Sequence, residues 1–156
     1  MQRDSSPRLS KTSRKAIKRR RPALKSGLAT TSDATLKLMQ DRVEKEIKKL
    51  DSFTTTNFVP AEKGQEDCYA YVYPDKDDKI YLGDDFETAP ATGPDSKAGT
   101  LVHEMSHYNS VGGTDDVVMA DGKTAYGQKR CEKLAKEDPA GAKNNAGSFE
   151  YFVEGQ

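Results

Sequence analysis

The segment His103-Glu104-Met105-Ser106-His107 constrains this chain more than any other, because it contains the only two histidines among 156 residues. Side chains four positions apart stack on one face of an α-helix, so both imidazoles can reach a single metal ion if the segment is helical. The flanking residues agree with that geometry. Ala98, Leu101, Val102, Met105 and Tyr108 recur at helical spacing on one side, Asp95 or Ser96 can cap the start, and Gly112 and Gly113 end the element. Glu104 borders the same face, where a carboxylate can take a proton from water whose pKa a metal has lowered. Two surface histidines on an ordinary helix would be the bland alternative; the lack of any histidine elsewhere weighs against it.

A catalytic zinc takes three protein ligands and leaves a position for water. With no third histidine, the remaining ligand has to be a carboxylate or a thiolate. Asp115 and Asp116 lie just past the glycine turn, and Asp121, Cys131, Glu132 and Glu150 stay open at this point.

The rest of the chain reads as one domain preceded by a tail. Residues 1 to 31 are rich in Ser, Thr, Lys and Arg, with Pro7 and Pro22 around Lys18-Arg19-Arg20-Arg21, and have the composition of a solvated tail or linker; residues 32 to 156 form the domain. After Ser32 or Asp33 as cap, Leu36, Met39, Val43, Ile47 and Leu50 predict an amphipathic helix ending near Asp51. The run from Cys68 to Tyr73 and Ile80-Tyr81-Leu82 flank Pro74 and a charged turn, which predicts a hairpin. Residues 52 to 66 read as loop with room for a short strand. A helix around Gln128 to Lys136 should bury Cys131, Leu134 and Ala135 and be closed by Asp138 and Pro139, and Phe149 to Val153 should be helical with its rings inward.

Charge narrows the classes further. The formal net charge is zero, but residues 1 to 25 hold ten Lys or Arg and one acid, so the remainder is net −9. That basic arm lacks the interleaved aromatics of a nucleic-acid surface and leaves everything after it unexplained, so a nucleic-acid partner is not expected. No stretch approaches the roughly 20 apolar residues of a membrane span, and no apolar secretory core stands at the N-terminus. Cys68 and Cys131 are too few for a disulfide scaffold and too far apart in sequence for a zinc knuckle.

Three sets of residues together resemble the aspzincins, the deuterolysin and peptidyl-Lys metalloendopeptidase group. They are Gly99-Thr100-Leu101-Val102-His103-Glu104-Met105-Ser106-His107-Tyr108, Gly113-Thr114-Asp115-Asp116 and Tyr126-Gly127-Gln128. Tyr71-Val72-Tyr73-Pro74, Ile80-Tyr81-Leu82 and Glu150-Tyr151-Phe152 add support, and the similarity covers roughly residues 67 to 154. The resemblance implies an α+β, zincin-like fold with a small sheet or hairpin beside the active-site helix, one zinc ion, and a protein or peptide substrate whose amide bond is hydrolysed. It implies His103, His107 and Asp116 as zinc ligands, Glu104 as general base and Tyr126 as donor to the oxyanion. Glu150 matches one of two acidic residues that hold a substrate lysine after the scissile bond in lysine-specific members.

Two departures stand out: Val117 to Ala125 intervene between Asp116 and Tyr126, and Gly147 stands where the second acidic residue would be. Tyr126 can return to the site through a small hairpin around Asp121-Gly122. Gly83 also replaces a cysteine of the secreted members, so their bridge is not expected, and whether Cys68 and Cys131 pair with each other stays open. The alternative to an enzyme is a catalytically silent module, or a toxin or effector domain, on the same fold; an intact Glu104 argues for the enzyme. Export by a dedicated secretion apparatus, without a classical leader, fits this combination better than a cytoplasmic location.

Overall fold

The protein is described by a computed structural model over residues 32–155. The expected basic tail lies outside the described residues. Helix α1, Asp33–Leu50, begins where Ser32 Oγ accepts the Thr35 amide at 3.2 Å and has Asp51 as its C-cap. Its innermost line is Thr35, Met39, Arg42 and Glu46; Leu36 and Val43 flank it, while Ile47 and Leu50 are exposed. The apolar stripe is therefore rotated partly outward, because Arg42 turns inward to donate to the carbonyls of Lys143 and Gly112. Buried carbonyls need donors, and a long guanidinium reaches both.

Strands β1 (Phe58–Pro60), β2 (Ala70–Val72) and β3 (Ile80–Leu82) form one sheet in the order β1-β3-β2. The expected hairpin is the antiparallel β2-β3 pair, with Tyr71 opposite Tyr81 and their rings stacked at 4.9 Å. β1 joins β3 in parallel, so β2 is left as an edge strand. Gly83, just after β3, lies so close to the main chain of Glu66 and Cys68 that an added Cβ would sit 2.7 Å from the Glu66 carbonyl oxygen. A cysteine could not stand there without moving backbone. Both Cys68 and Cys131 are free.

After the short helix α2 (Asp84–Thr88), which the sequence reading missed, comes the central helix α3, Lys97–His107. Its cap is Ser96, whose buried Oγ accepts the Gly99 amide at 2.9 Å. Met105 and Tyr108 bury with Ile80 and Val111 against the sheet, and Val102 packs on the other side beside Met39, Phe149 and Phe152. Each fully buried side chain of this kind contributes about 1.5–3 kcal/mol. Ala98, expected on the apolar side, is exposed, while Gly99 is buried where the last helix crosses α3.

Helix α4 (Gln128–Glu137) buries Cys131, Leu134 and Ala135 as expected. Asp138 and Pro139 do close it, but they also open α5, Pro139–Asn144: the Asp138 carboxylate accepts the Gly141 amide at 2.9 Å and proline takes the first helical turn. Helix α6, Ala146–Glu154, buries Phe149, Tyr151 and Phe152 and packs along α3. The architecture is α+β, with α3 between the sheet and α6.

Candidate metal centre

His103 and His107 leave α3 on one face, and the chain after the helix folds back to meet them. Ser106 Oγ donates to the His103 carbonyl at 2.6 Å and lies 2.6 Å from Thr114 Oγ1, while the Thr114 amide donates to the Ser106 carbonyl at 3.1 Å. Gly113 supports this reversal with φ of 54°. The turn presents the Thr114 carbonyl to His107 Nδ1 at 2.7 Å and brings Asp116 over both imidazoles. Asp116 Oδ1 lies 3.0 Å from His103 Nε2 and 3.8 Å from His107 Nε2. One ligand atom from each of the three lies within 4.8 Å of the others, the only such group found among the described residues.

Of the adjacent aspartates, Asp115 points elsewhere. Its Oδ2 accepts from Asn144 Nδ2 at 2.9 Å, and its backbone bonds Asn144 and Ala146, which pins this turn to the start of α6. Asp121 pairs with Arg130 at 2.8 Å, and Cys131 is buried under Ala125. These candidates for a third ligand are thus not brought to the histidines.

The donor set suits a cation. His103 has Nδ1 3.1 Å from Glu150 Oε2 and Nε2 facing Asp116, so both ring nitrogens meet carboxylate oxygens. A neutral ring carries a single N–H and would leave one of these contacts as two facing lone pairs. A proton or a metal at Nε2 resolves it. With a proton there, the pKa of His103 is set by burial, which lowers it, and by the stronger opposing pull of Asp116 and Glu150, which push it up to about 10. His107 is held below its ordinary value by burial, against the Thr114 carbonyl, and so offers a free Nε2 lone pair. Burial would raise Asp116, but its bonds with His103 and Tyr126 bring it below the usual carboxylate range. Two neutral or displaceable imidazole nitrogens and one anionic oxygen are the ligand types of a catalytic zinc site.

Glu104 is buried beside this group, and that burial pushes its carboxyl up to about 8, with His103 opposing and Asp116 and Glu150 adding. Tyr126 comes back to the site through the expected hairpin: Val118 bridges Thr124, and the Met119 amide donates to the Lys123 carbonyl at 2.9 Å. Its hydroxyl donates to Asp116 Oδ2 at 2.7 Å while the ring remains half exposed. Glu150 is not a solvated helix charge but is 7% exposed and bonded to His103.

Asn145 is a residue that sequence reasoning missed. Fully buried, its Oδ1 accepts the Val117 amide at 3.0 Å and its Nδ2 lies 3.4 Å from the Ala125 carbonyl, so it ties both ends of the hairpin that separates Asp116 from Tyr126. Nothing in its local sequence announces this, since both partners are distant along the chain.

Two clefts meet at Glu104 and Tyr126. One, of about 360 Å³, runs between β2 and α6 and is walled by Asp67, Asp95, Thr100, Gly147, Glu150 and Tyr151. The other continues along β2 past His107 and Asp116. Among the described residues no helix is long and apolar enough to cross a membrane.

Comparison with known proteins gives a consistent result. The family model for lysine-specific metallo-endopeptidases, the aspzincins, matches residues 29–154. An extracellular protease of Aeromonas hydrophila is 51% identical over 90 residues, covering 58% of this chain and 24% of that protein. A peptidyl-Lys metalloendopeptidase of Grifola frondosa is 49% identical over 86 residues, covering 55% of this chain and 23% of that protein. The chain thus spans about a quarter of the length of these two relatives. Among solved structures, a zinc peptidase from Grifola frondosa aligns with a TM-score of 0.67 at 33% identity, over 83% of this chain and 73% of that one.

Proposed function

The chain belongs to the aspzincin family of lysine-specific metallo-endopeptidases, and from that premise we propose that it is a zinc-dependent endopeptidase. The observation that carries the proposal is the convergence of His103 Nε2, His107 Nε2 and Asp116 Oδ1 on one point beside buried Glu104, at the junction of two clefts. His103, His107 and Asp116 would hold zinc. The ion would supply a Lewis acid that acidifies water and polarises a peptide carbonyl.

The remaining steps belong to the chain's own side chains. Glu104, buried beside the metal-binding group, takes the proton of the attacking water and returns it to the departing amine. Tyr126, its hydroxyl 2.7 Å from Asp116 Oδ2 and its side chain half exposed at the cleft, is the donor to the oxyanion of the tetrahedral intermediate in this reading. The free edge of β2 borders the second cleft, where an extended peptide can add as a further strand and be read mainly through its backbone.

A preference for Lys after the scissile bond is the finer reading. It is supported by Asp67, Asp95 and Glu150 around the first cleft, which give it an acidic lining even with Gly147 in the wall. Protein or peptide substrates, and action outside the cell, complete the proposal; the relative named an extracellular protease supports the latter.

The test is zinc content together with peptide cleavage for the parent, Glu104→Ala and Asp116→Ala. Zinc in the parent and Glu104→Ala but not Asp116→Ala, with cleavage by the parent alone, is expected. Zinc without cleavage in the parent would favour a silent binding module. Peptides differing only at the residue after the scissile bond test the lysine preference, and equal rates for Lys and Ala there would remove it.

A further inference from the structure

We propose that Glu150 is a positioning residue for the metal ligand His103, fixing the imidazole so that Nε2 offers its lone pair to the ion. The inference rests on reading His103, His107 and Asp116 as the zinc site. Glu150 projects from α6, and its Oε2 lies 3.1 Å from His103 Nδ1. Both residues are buried, at 7% and 8% exposure, so water does not compete for the contact. With Nδ1–H donated to a carboxylate, the ring can neither rotate nor change tautomer, and its Nε2 becomes a stronger base.

The two histidines are supported differently. His107 Nδ1 faces a neutral backbone carbonyl, that of Thr114 at 2.7 Å, whereas His103 faces an anion. A second observation shows that α3 is built to admit this anion. Gly99 lies four residues before His103, inside the helix, where glycine costs about 1 kcal/mol relative to alanine. A Cβ at position 99 would come within 2.7 Å of Glu150 Oε1 and closer still to Glu154 Oε1. The missing side chain is therefore the space into which these carboxylates fit. Ser96 Oγ, 3.1 Å from Glu154 Oε1, holds the neighbouring carboxylate from the helix cap.

This assignment differs from a role in holding the substrate's side chain, and the two are separable without any substrate. Zinc affinity is measured by competition with a chromophoric chelator for the parent, Glu150→Gln, Glu150→Ala and Gly99→Ala, and cobalt-substituted samples report ligand geometry in their visible spectra. Glu150→Ala should bind zinc about 10–100-fold more weakly. Glu150→Gln keeps an acceptor for Nδ1–H but loses the charge, and should recover part of that loss while remaining measurably weaker than the parent. Gly99→Ala should shift the affinity in the same direction although it touches no ligand. Parental zinc affinity and an unchanged cobalt spectrum in Glu150→Gln would overturn the proposal, even if Glu150→Ala failed to fold. Loss of lysine discrimination with unaltered zinc affinity would do the same and return Glu150 to the substrate. A parent that binds no zinc would instead defeat the underlying metal-site reading.

Discussion

Replacing Tyr126 by Phe removes one oxygen and keeps the ring, so it separates a catalytic hydroxyl from a packing aromatic. In the structure that hydroxyl donates to Asp116 Oδ2 at 2.7 Å, and the residue is 54% exposed. A hydrogen bond to a charged group contributes about 1.5–3 kcal/mol when shielded. Water can replace much of it at a half-exposed position, so the loss in folding stability should stay near or below about 1 kcal/mol. The ring stays 6.0 Å from that of His103 in either variant, so packing against the ligand is retained. If the hydroxyl donates to the oxyanion, its removal should cost about 10²–10³ in kcat, or roughly 2.7–4 kcal/mol of barrier. An interaction made in the transition state and not in the ground state lowers kcat and leaves KM nearly unchanged. The assay is steady-state cleavage of an internally quenched peptide by zinc-saturated protein, with zinc content and thermal unfolding followed in parallel. A kcat within about threefold of the parent at full zinc content would refute the role. It would reduce Tyr126 to a side chain that closes the hairpin.

Three further outcomes follow from features outside the metal site. Glu46 is 7% exposed and burial alone pushes its carboxyl up to about 8 from 4.5, so the folded state holds a proton that the unfolded chain releases, and stability falls as pH rises from about 4.5 to about 8. Glu46→Gln should therefore match the parent's Tm near about pH 5 and exceed it near about pH 9; a constant difference across that range would disprove the assignment. Arg42→Met keeps the apolar stem but leaves the Lys143 and Gly112 carbonyls without their donor, and should cost about 2–3 kcal/mol in urea unfolding. Because Cys68 and Cys131 are free, a reductant should leave Tm unchanged and two thiols should titrate in denaturant; native Cys131, whose burial pushes its thiol up to about 11, should alkylate much more slowly than in the unfolded chain.

What was legible in the sequence was local. Ser32 and Ser96 are both good caps followed by helical periodicity, and both cap helices. The histidine pair needs nothing but the 3.6-residue repeat, and β2-β3 is a short antiparallel pairing with a charged turn between apolar runs. What escaped depends on distant partners. β1, the short strand for which residues 52 to 66 left room without fixing its pairing, is three residues long and is placed by its parallel pairing with β3, beyond β2 in the chain. Asp138-Pro139 carries the mark of a helix start as much as of a stop, and only the docking of α5 beside α4 and α6 distinguishes them. Glu150 was legible as a site residue only through the resemblance, and its bond to His103 was not, since that follows from α6 crossing α3 at a glycine.

The two departures from the aspzincin pattern meet at one place in the structure. The residues inserted between Asp116 and Tyr126 form a hairpin whose last carbonyl, that of Ala125, faces the start of α6 and is held there by Asn145. A Cβ built on Gly147 would lie 3.2 Å from that same carbonyl oxygen and 3.2 Å from Cys131 Sγ. Those separations are tight for any side chain, and an aspartate would add a charge opposite a carbonyl dipole with its negative end towards it. The hairpin that carries Tyr126 back to the metal centre thus occupies part of the room an acidic residue at position 147 would need. Gly147 and the hairpin are in close contact, and the acidic lining of the first cleft comes from Asp67, Asp95 and Glu150 on its other walls.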